Sequence, residues 1–126
     1  MTEFTVHLAN RPGMLAALTE QLADAGIHIE ALAAFGMDGE GIVRLVVDDE
    51  PTTRTLLEGD GIQFEERTIL TTTLPHQAKA VAALTRDLAD AGANIDAMYL
   101  LRSSAEGLEF AVAVDNYDAA HNRLAV

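Results

Sequence analysis

Apolar and polar residues alternate over residues 3–8 and then give way to a helical spacing over residues 14–25. The alternation predicts a half-buried strand, and leucines three or four positions apart predict a helix with one apolar face. Asn10 stands where it could cap this helix, Pro12 suits its first turn, and Gly26 is the residue type with which helices commonly end. The chain is therefore predicted to begin with a strand, a loop and a helix.

The alternation resumes after this helix and predicts a hairpin followed by a second, shorter helix. Extended segments over residues 27–37 and 42–47 flank Asp38-Gly39-Glu40-Gly41, whose composition is typical of a hairpin connection. Asp49 can cap the next helix, which has Pro51 in its first turn. After that helix the chain becomes rich in threonine, and we expect it to be extended again.

The second half of the chain repeats the first at an offset of 66 residues. Nine of fourteen residues are identical between segments 18–31 and 84–97, and the same offset holds in the two predicted hairpins. It also pairs Asp49 with Asp115, so Asp115 is expected to cap the last helix, over residues 117–124. One offset held across several elements indicates a duplication.

The two repeats are predicted to span residues 1–67 and 68–126, each with an antiparallel sheet covered by helices on one face, an α+β sandwich. Residues 62–74 close one repeat and open the other without a Pro/Gly/Ser-rich linker, so we expect one continuous sheet. The second repeat reaches residue 126 without a closing strand. We expect its sheet to end short or to be completed by a partner, and an unpaired edge favours a homodimer.

One segment in the first repeat is informative about family. The run Asn10-Arg11-Pro12-Gly13-Met14-Leu15, followed by a helix and then by Ala25-Gly26-Ile27-His28-Ile29, resembles the ACT domain. The resemblance covers nearly the whole chain, once per repeat, and implies two tandem ferredoxin-like βαββαβ units. ACT domains are known for amino-acid-responsive control of metabolic enzymes, and this chain is similar to stand-alone tandem ACT proteins that carry no enzyme.

The resemblance also implies a ligand site at the interface of two domains, between the first loop of one and the second strand of its neighbour. The residues implied are Asn10, Arg11, Pro12, Gly13, Met14 and Leu15 in the loop, with His28 and Asn94 at the starts of the second strands. Gly13 would let a ligand approach the backbone, and N–H groups at a helix start favour a carboxylate. Asn94 would face the Asn10 loop, in the same chain or in a partner.

The corresponding loop of the second repeat departs from this pattern. Pro75-His76-Gln77-Ala78-Lys79 stands where Ala9-Asn10-Arg11-Pro12-Gly13 stands in the first repeat, so both the proline and the glycine of the signature are lost. We therefore expect one good site per chain. A second interpretation remains open for the first loop, which could serve only to start its helix, and His28 could be a half-exposed residue without a ligand.

Composition narrows the classes of partner. The formal net charge is −12, which repels phosphate backbones and anionic lipid surfaces, so neither nucleic acid nor a membrane is expected as a partner. No apolar run approaches the ~20 residues that span a bilayer. The N-terminus lacks the basic start and apolar stretch of a signal peptide, which favours a cytoplasmic location.

Catalytic and metal-binding patterns are not recognised. The chain has no cysteine, and His7, His76 and His121 show no metal-ligand spacing with one another. The acidic run 48–50 suits a helix cap better than a cation site, and Ser103 has no assignable His/Asp pair. No catalytic residue, metal or cofactor is predicted, and the protein is not expected to be an enzyme.

The function predicted from the sequence is that of a non-enzymatic sensor. It would bind an amino acid or a similar small ligand at an ACT–ACT interface, as a homodimer, and shift association with a target protein. The alternative is a ligand-independent dimerisation or adaptor module of the same fold.

Overall fold

The computed structural model describes residues 1–124 and divides the chain into two compact units. One unit comprises Thr2–Arg67, and the other comprises Met1 with the residues from Thr68 onward. The elements of the first unit are β1 (Thr2–Ala9), α1 (Met14–Asp24), β2 (Ile29–Met37), β3 (Glu40–Val47), α2 (Glu50–Gly59) and β4 (Phe64–Thr68). Those of the second unit are β5 (Leu70–Leu74), α3 (Ala80–Asp90), β6 (Ile95–Ser104), β7 (Gly107–Val114) and α4 (Tyr117–Leu124).

The first unit has a four-stranded sheet in the order β2-β3-β1-β4. Strand β3 runs antiparallel to both β1 and β2, which therefore flank it although the helix α1 separates them in sequence. The hairpin between β2 and β3 turns on Asp38 and Gly39, both with positive φ (53° and 78°), so the connection is two residues long and Glu40 already belongs to β3. Positive φ at both central residues is the geometry that suits the twist of a hairpin.

The core of the first unit joins the apolar faces of its helices to one face of its sheet. Leu18 and Leu22 from α1 are buried against Phe4 and Val6 from β1, and Leu57 from α2 completes the contact. All five side chains are at most 2% exposed. The helical and alternating spacings select these positions as core. The same helical spacings also select Leu15 and Val81, and for these two the prediction was wrong, because they are 37% and 41% exposed.

Both long helices end with the same left-handed glycine. Gly26 has φ +74°, and the following N–H, that of Ile27, donates to the Leu22 carbonyl at 2.9 Å. Gly92 has φ +76°, and the Ala93 N–H closes the second helix in the same way. Because a side chain at this φ is strained, glycine is the residue that allows the chain to reverse here.

The helix starts follow the sequence less closely. Asp49 caps α2 as expected: its carboxylate accepts from the Thr52 hydroxyl (2.6 Å) and N–H (3.1 Å), and these bonds hold the pKa of Asp49 below its usual value. The last helix is capped by Asn116, whose side chain accepts from the Ala119 N–H at 3.2 Å. The prediction that Asp115 caps it was wrong, because Asp115 lies one residue too early.

The second unit has a three-stranded sheet in the order β5-β7-β6, with both pairs antiparallel. Leu84 and Leu88 from α3 are buried against Leu70 and Val112, which repeats the core of the first unit. Within residues 1–124 the strands form two separate sheets, so the expectation of one continuous sheet was wrong. The extended stretch is interrupted at Ile69, between β4 and β5.

A histidine bridges three strands of the first sheet. His7 of β1 lies between Glu40 of β3 and Glu65 of β4, with its two ring nitrogens 2.6 Å from a carboxylate oxygen of each. Desolvation opposes protonation of the ring, but the hydrogen bonds and charges of Glu65 and Glu40 outweigh it and raise the pKa of His7 above 6.5. A neutral imidazole can donate only one of these two bonds, so the cation is the form that joins all three strands.

This bridge makes a prediction about pH. Because folding raises the pKa of His7, the stabilisation is complete below about pH 6.5 and is lost as the pH rises through the higher folded-state value. We expect the free energy of unfolding of the wild type to exceed that of His7→Gln by about 1 kcal/mol at acidic pH, and by less at alkaline pH. Chemical denaturation across the pH range measures the difference.

The exposed His28 provides the control, and His28→Gln should keep the pH dependence of the wild type. A His7→Gln protein whose stability changes with pH in parallel with the wild type would contradict the assignment.

Candidate ligand-binding site

The first unit contains an open pocket of about 230 Å³ where β1 runs into α1 and where the β2–β3 hairpin ends. Four of the residues implied by the ACT resemblance line it: Asn10, Arg11, Met14 and Leu15. The remaining lining residues were not predicted; they are Leu8, Ala9, Ala34, Phe35, Gly36, Gly41, Ile42 and Val43. The loop residues thus form one wall, and the hairpin strands form the other.

The loop is a tight turn with its own hydrogen bonds. The Asn10 N–H donates to the Gly39 carbonyl (3.3 Å), the Arg11 N–H to the Ala9 carbonyl (3.0 Å), and the Met14 N–H to the Arg11 carbonyl (3.4 Å). The first of these bonds ties the loop to the hairpin turn. These backbone hydrogen bonds fix the loop beside the hairpin and so define one wall of the pocket.

Gly13, rather than Asn10, occupies the position before α1, and no side chain caps this helix. The predicted Asn10 cap was therefore wrong. Because no side chain caps α1, N–H groups of its first turn have no side-chain acceptor. Such groups attract anions. Pro12 and Gly13 belong to the turn but do not line the pocket.

The need for glycine at position 13 is conformational. Gly13 has φ +90°, and a Cβ placed on it would meet no atom within 4 Å. A side chain would fit the space but would strain the backbone by roughly 1–2 kcal/mol. Lys79, which replaces this glycine in the second unit, has φ −90°. The second loop therefore has a different backbone conformation at the corresponding residue.

A second glycine makes room for Asn10. A Cβ built on Gly36 of β2 would lie 2.5 Å from Asn10 Nδ2 and 3.3 Å from its Cγ. The amide of Asn10 therefore lies directly over the backbone of Gly36, which is paired across the hairpin with Gly41. Glycine is unfavourable in the interior of a strand, so a pair of glycines such as Gly36 and Gly41 beside a hairpin turn indicates that another group approaches the backbone closely. The sequence therefore contains a signal for the contact with Asn10.

Arg11 is the free charge of the pocket. It is exposed, and its guanidinium has no hydrogen-bond or ion-pair partner among residues 1–124. Other arginines are paired with carboxylates, namely Arg44, Arg54, Arg102 and Arg123. In a chain with a formal net charge of −12, an arginine left unpaired beside a pocket provides a local attraction for an anion.

The rim of the pocket is apolar and exposed. Leu15 of α1 and Phe35 of β2 line the pocket yet are 37% and 44% exposed. Leu32 and Met37, also on β2, are exposed as well. Since β2 is an edge strand, these side chains leave apolar surface along this edge of the first unit, with Leu32 on the face opposite to Phe35 and Met37. We call Leu15, Leu32, Phe35 and Met37 the β2 margin.

His28 and Asn94, which directly precede β2 and β6, do not line this pocket. The His28 N–H donates to the Asp48 carboxylate (2.9 Å), and its carbonyl accepts from the Asp48 N–H (3.1 Å). Asn94, in the second unit, makes the same pair of backbone bonds with Asp115, at 2.7 and 3.1 Å. These bonds join the start of one strand to the end of its neighbour, and Asp115 is used here instead of at the helix. The side chains of His28 and Asn94 play no part in them.

Two features are absent among residues 1–124. In this part of the chain, no three His, Asp or Glu side chains are arranged to hold a metal ion. None of its helices has the length and apolar character needed to cross a membrane.

Comparisons with known proteins give matches only at the level of structure. No family model and no curated protein matches the sequence. Protein BT0572 from Bacteroides thetaiotaomicron is similar with a TM-score of 0.88 and 23% identity, over 98% of this chain and 85% of that one. The ligand-free regulatory subunit of aspartate kinase from Thermus thermophilus is similar with a TM-score of 0.70 and 16% identity, over 98% and 89%. The regulatory subunit of aspartate kinase from Thermus flavus is similar with a TM-score of 0.63 and 18% identity, over 97% of this chain and 88% of that one.

At these identities the likeness is one of fold, and it confirms the class predicted from the sequence. The chain has the architecture that the ACT resemblance implies, with antiparallel sheets covered by helices on one face; the first unit is βαββαβ, and the second is βαββα within residues 1–124. Structures that share this architecture include regulatory subunits of aspartate kinase.

The contact between Asn10 and Gly36 makes a prediction about coupling. Gly36→Ala should displace the Asn10 side chain, because the added methyl group would overlap its amide. We expect a loss of roughly 0.5–1.5 kcal/mol in the free energy of unfolding, with most of this loss absent in an Asn10→Ala background. A double-mutant cycle by chemical denaturation measures the coupling. Additive effects of the two substitutions would show that the two residues do not touch in solution.

Proposed function

We propose that the protein is a non-enzymatic regulatory protein that binds an amino acid, or a closely similar small carboxylate, at the Asn10–Leu15 loop. The observation that carries the proposal is the pocket beside this loop, at whose wall Arg11 has no ion-pair partner among residues 1–124. Ligand pockets typically combine apolar side chains with a few placed polar groups, and the side chains that line this pocket are apolar except for those of Asn10 and Arg11.

Each part of an amino acid has a matching group. The carboxylate would bind Arg11 and the uncapped N–H groups at the start of α1, where the helix dipole also favours a negative charge. The Asn10 side chain offers a carbonyl acceptor for the ammonium group. An apolar side chain would lie against Met14, Leu15 and Phe35.

We further propose that a second ACT-like domain completes the site. Leu15 and Phe35 remain exposed in the first unit. A ligand bound beside them would therefore also have an apolar surface exposed to solvent on the side that faces away from the pocket. A neighbouring domain placed over the β2 margin would cover both, as the ACT resemblance implies. In that arrangement His28 or Asn94 would supply a polar contact from the neighbouring strand, and the domains would belong to a homodimer.

The regulatory part of the proposal follows from linkage. A ligand held between two domains stabilises their association, and association in turn raises the affinity for the ligand. A target protein that binds only one of the two states would then respond to the amino acid. The fold shared with regulatory subunits of aspartate kinase supports a role of this kind.

A specific observation favours a second candidate, a dimerisation or adaptor module that needs no ligand. The β2 margin is apolar enough to form a contact by itself. The two candidates differ in a measurable way, because only the first predicts that an amino acid changes stability.

The proposal predicts a selective thermal shift. One or more of the twenty amino acids, screened by differential scanning fluorimetry, should raise the melting temperature, since ligand at 100 times its Kd adds about 2.7 kcal/mol. Arg11→Glu should abolish the shift, because it replaces attraction for the carboxylate with repulsion. The matched control is Arg86→Glu, which makes the same charge change at an exposed arginine of α3 that has no ion-pair partner among residues 1–124.

A folded wild-type protein that responds to none of the amino acids at millimolar concentration would favour the adaptor candidate instead. Equal shifts in Arg11→Glu and Arg86→Glu would place binding elsewhere.

A further inference from the structure

The floor of the pocket at the Asn10–Leu15 loop contains one small cross-strand pair. Ala34 of β2 lies directly opposite Val43 of β3, and both residues line the pocket. Residues that lie opposite each other on neighbouring strands have their side chains on the same face of the sheet. Val43 belongs to the core and is 2% exposed, whereas Ala34 is exposed. The Ala34 methyl group therefore points to the helix side of the sheet and leaves open space above it.

The positions on either side of Ala34, on this face of β2, are both occupied. Residues two apart on a strand share a face and lie roughly 7 Å from each other, so Leu32 and Gly36 are the neighbours of Ala34. Leu32 carries its own large side chain, and the amide of Asn10 lies over Gly36. The open space at Ala34 is therefore about one side chain wide, and it is bounded by a leucine and an amide.

The second unit has larger residues at the equivalent pair. Leu100 of β6 is the counterpart of Ala34 at the offset of 66 residues, and it lies opposite Phe110 of β7. Phe110 packs against the core of the second unit, and Val43 belongs to the core of the first. The first unit has a methyl and an isopropyl group where the second has an isobutyl and a benzyl group. The first unit therefore lacks bulk at this pair, on the face where its pocket lies.

The polar groups around this space disfavour several classes of ligand side chain. Of the residues in the described range 1–124 that line the pocket, only Asn10 and Arg11 have polar side chains, and none has a carboxylate. A lysine ligand would therefore have no partner for its side-chain cation, and an aspartate ligand would bring two carboxylates to one guanidinium. A hydroxyl group placed on Ala34 and Val43 would lose its hydrogen bonds to water without replacement.

We propose that the ligand is an amino acid with a branched aliphatic side chain (leucine, isoleucine or valine), and that Ala34 sets the size of the side chain that the site accepts. The inference rests on the proposed function, because it names the ligand class of that same site. The carboxylate binds at Arg11 and the start of α1, and the aliphatic group covers Ala34 and Val43. The ligand then supplies the bulk that Leu100 supplies in the second unit.

The affinity of the wild type for leucine and for alanine is the first measurement, made by isothermal titration calorimetry. Each methylene group transferred from water to an apolar site changes the dissociation constant by about fourfold, and leucine has several more carbon atoms than alanine. Because the pocket is open and covers the ligand only in part, we expect leucine to bind at least about tenfold more tightly than alanine. Aspartate, lysine, serine and phenylalanine should also bind more weakly than leucine.

The variant Ala34→Leu tests the role of Ala34. The added isobutyl group fills the space that the ligand side chain needs, so the affinity for leucine should fall by at least about tenfold more than the affinity for alanine. The matched control is Leu100→Ala, which makes the reverse change at the counterpart position of the second unit and should keep the preference for leucine. Ala34 and Leu100 are both exposed, and circular dichroism verifies that both variants are folded.

The outcomes separate this inference from the proposed function. A wild type that binds a charged, hydroxyl-bearing or aromatic amino acid more tightly than leucine, or alanine as tightly as leucine, would overturn the ligand class and leave an amino-acid site standing. Equal weakening of leucine and alanine binding in Ala34→Leu would overturn the role of Ala34. A wild type that binds no amino acid would remove the proposed function and this inference together.

Discussion

The burial of one leucine stripe per helix against one face of a sheet is the interaction on which both units depend. Leu18 and Leu22 serve the first unit, and Leu84 and Leu88 serve the second, each pair nearly free of solvent contact. A large apolar side chain buried in this way contributes about 1.5–3 kcal/mol. The left-handed glycine that follows each helix turns the chain so that the next strand joins the same sheet.

Within this shared frame, the two units differ where the first strand meets the first helix. Gly13 allows a left-handed turn in the first unit, and the pocket lies beside that turn. Lys79 takes an ordinary right-handed conformation at the same place in the second unit. The two repeats have therefore kept the same core while their loops have diverged. This is expected because packing constrains the core residues and does not constrain the loop residues.

The few basic side chains of this acidic chain differ in whether they have a carboxylate partner. Four of the eight lysine and arginine side chains, those of Arg44, Arg54, Arg102 and Arg123, form ion pairs with carboxylates, as in the pair of Arg44 with the buried Glu3 at 2.8 Å. His7 adds a titratable link across three strands of the same sheet. Against this acidic background, Arg11 lies beside the pocket of the first unit without an ion-pair partner among residues 1–124, and the proposed binding of a carboxylate rests on it.

The sequence by itself determined the duplication, the order of the elements, the core leucines and the loop at Asn10–Leu15, because these depend on spacing along the chain. Tertiary structure alone decided what the loop faces: Phe35 and Gly36 lie more than twenty residues away and reach the pocket through the register of β2 with β3. It also decided that Asn10 rests on Gly36 instead of capping α1, and that the strands form two sheets instead of one. Local periodicity specifies which residues are buried, but only the pairing of distant strands specifies which polar groups meet.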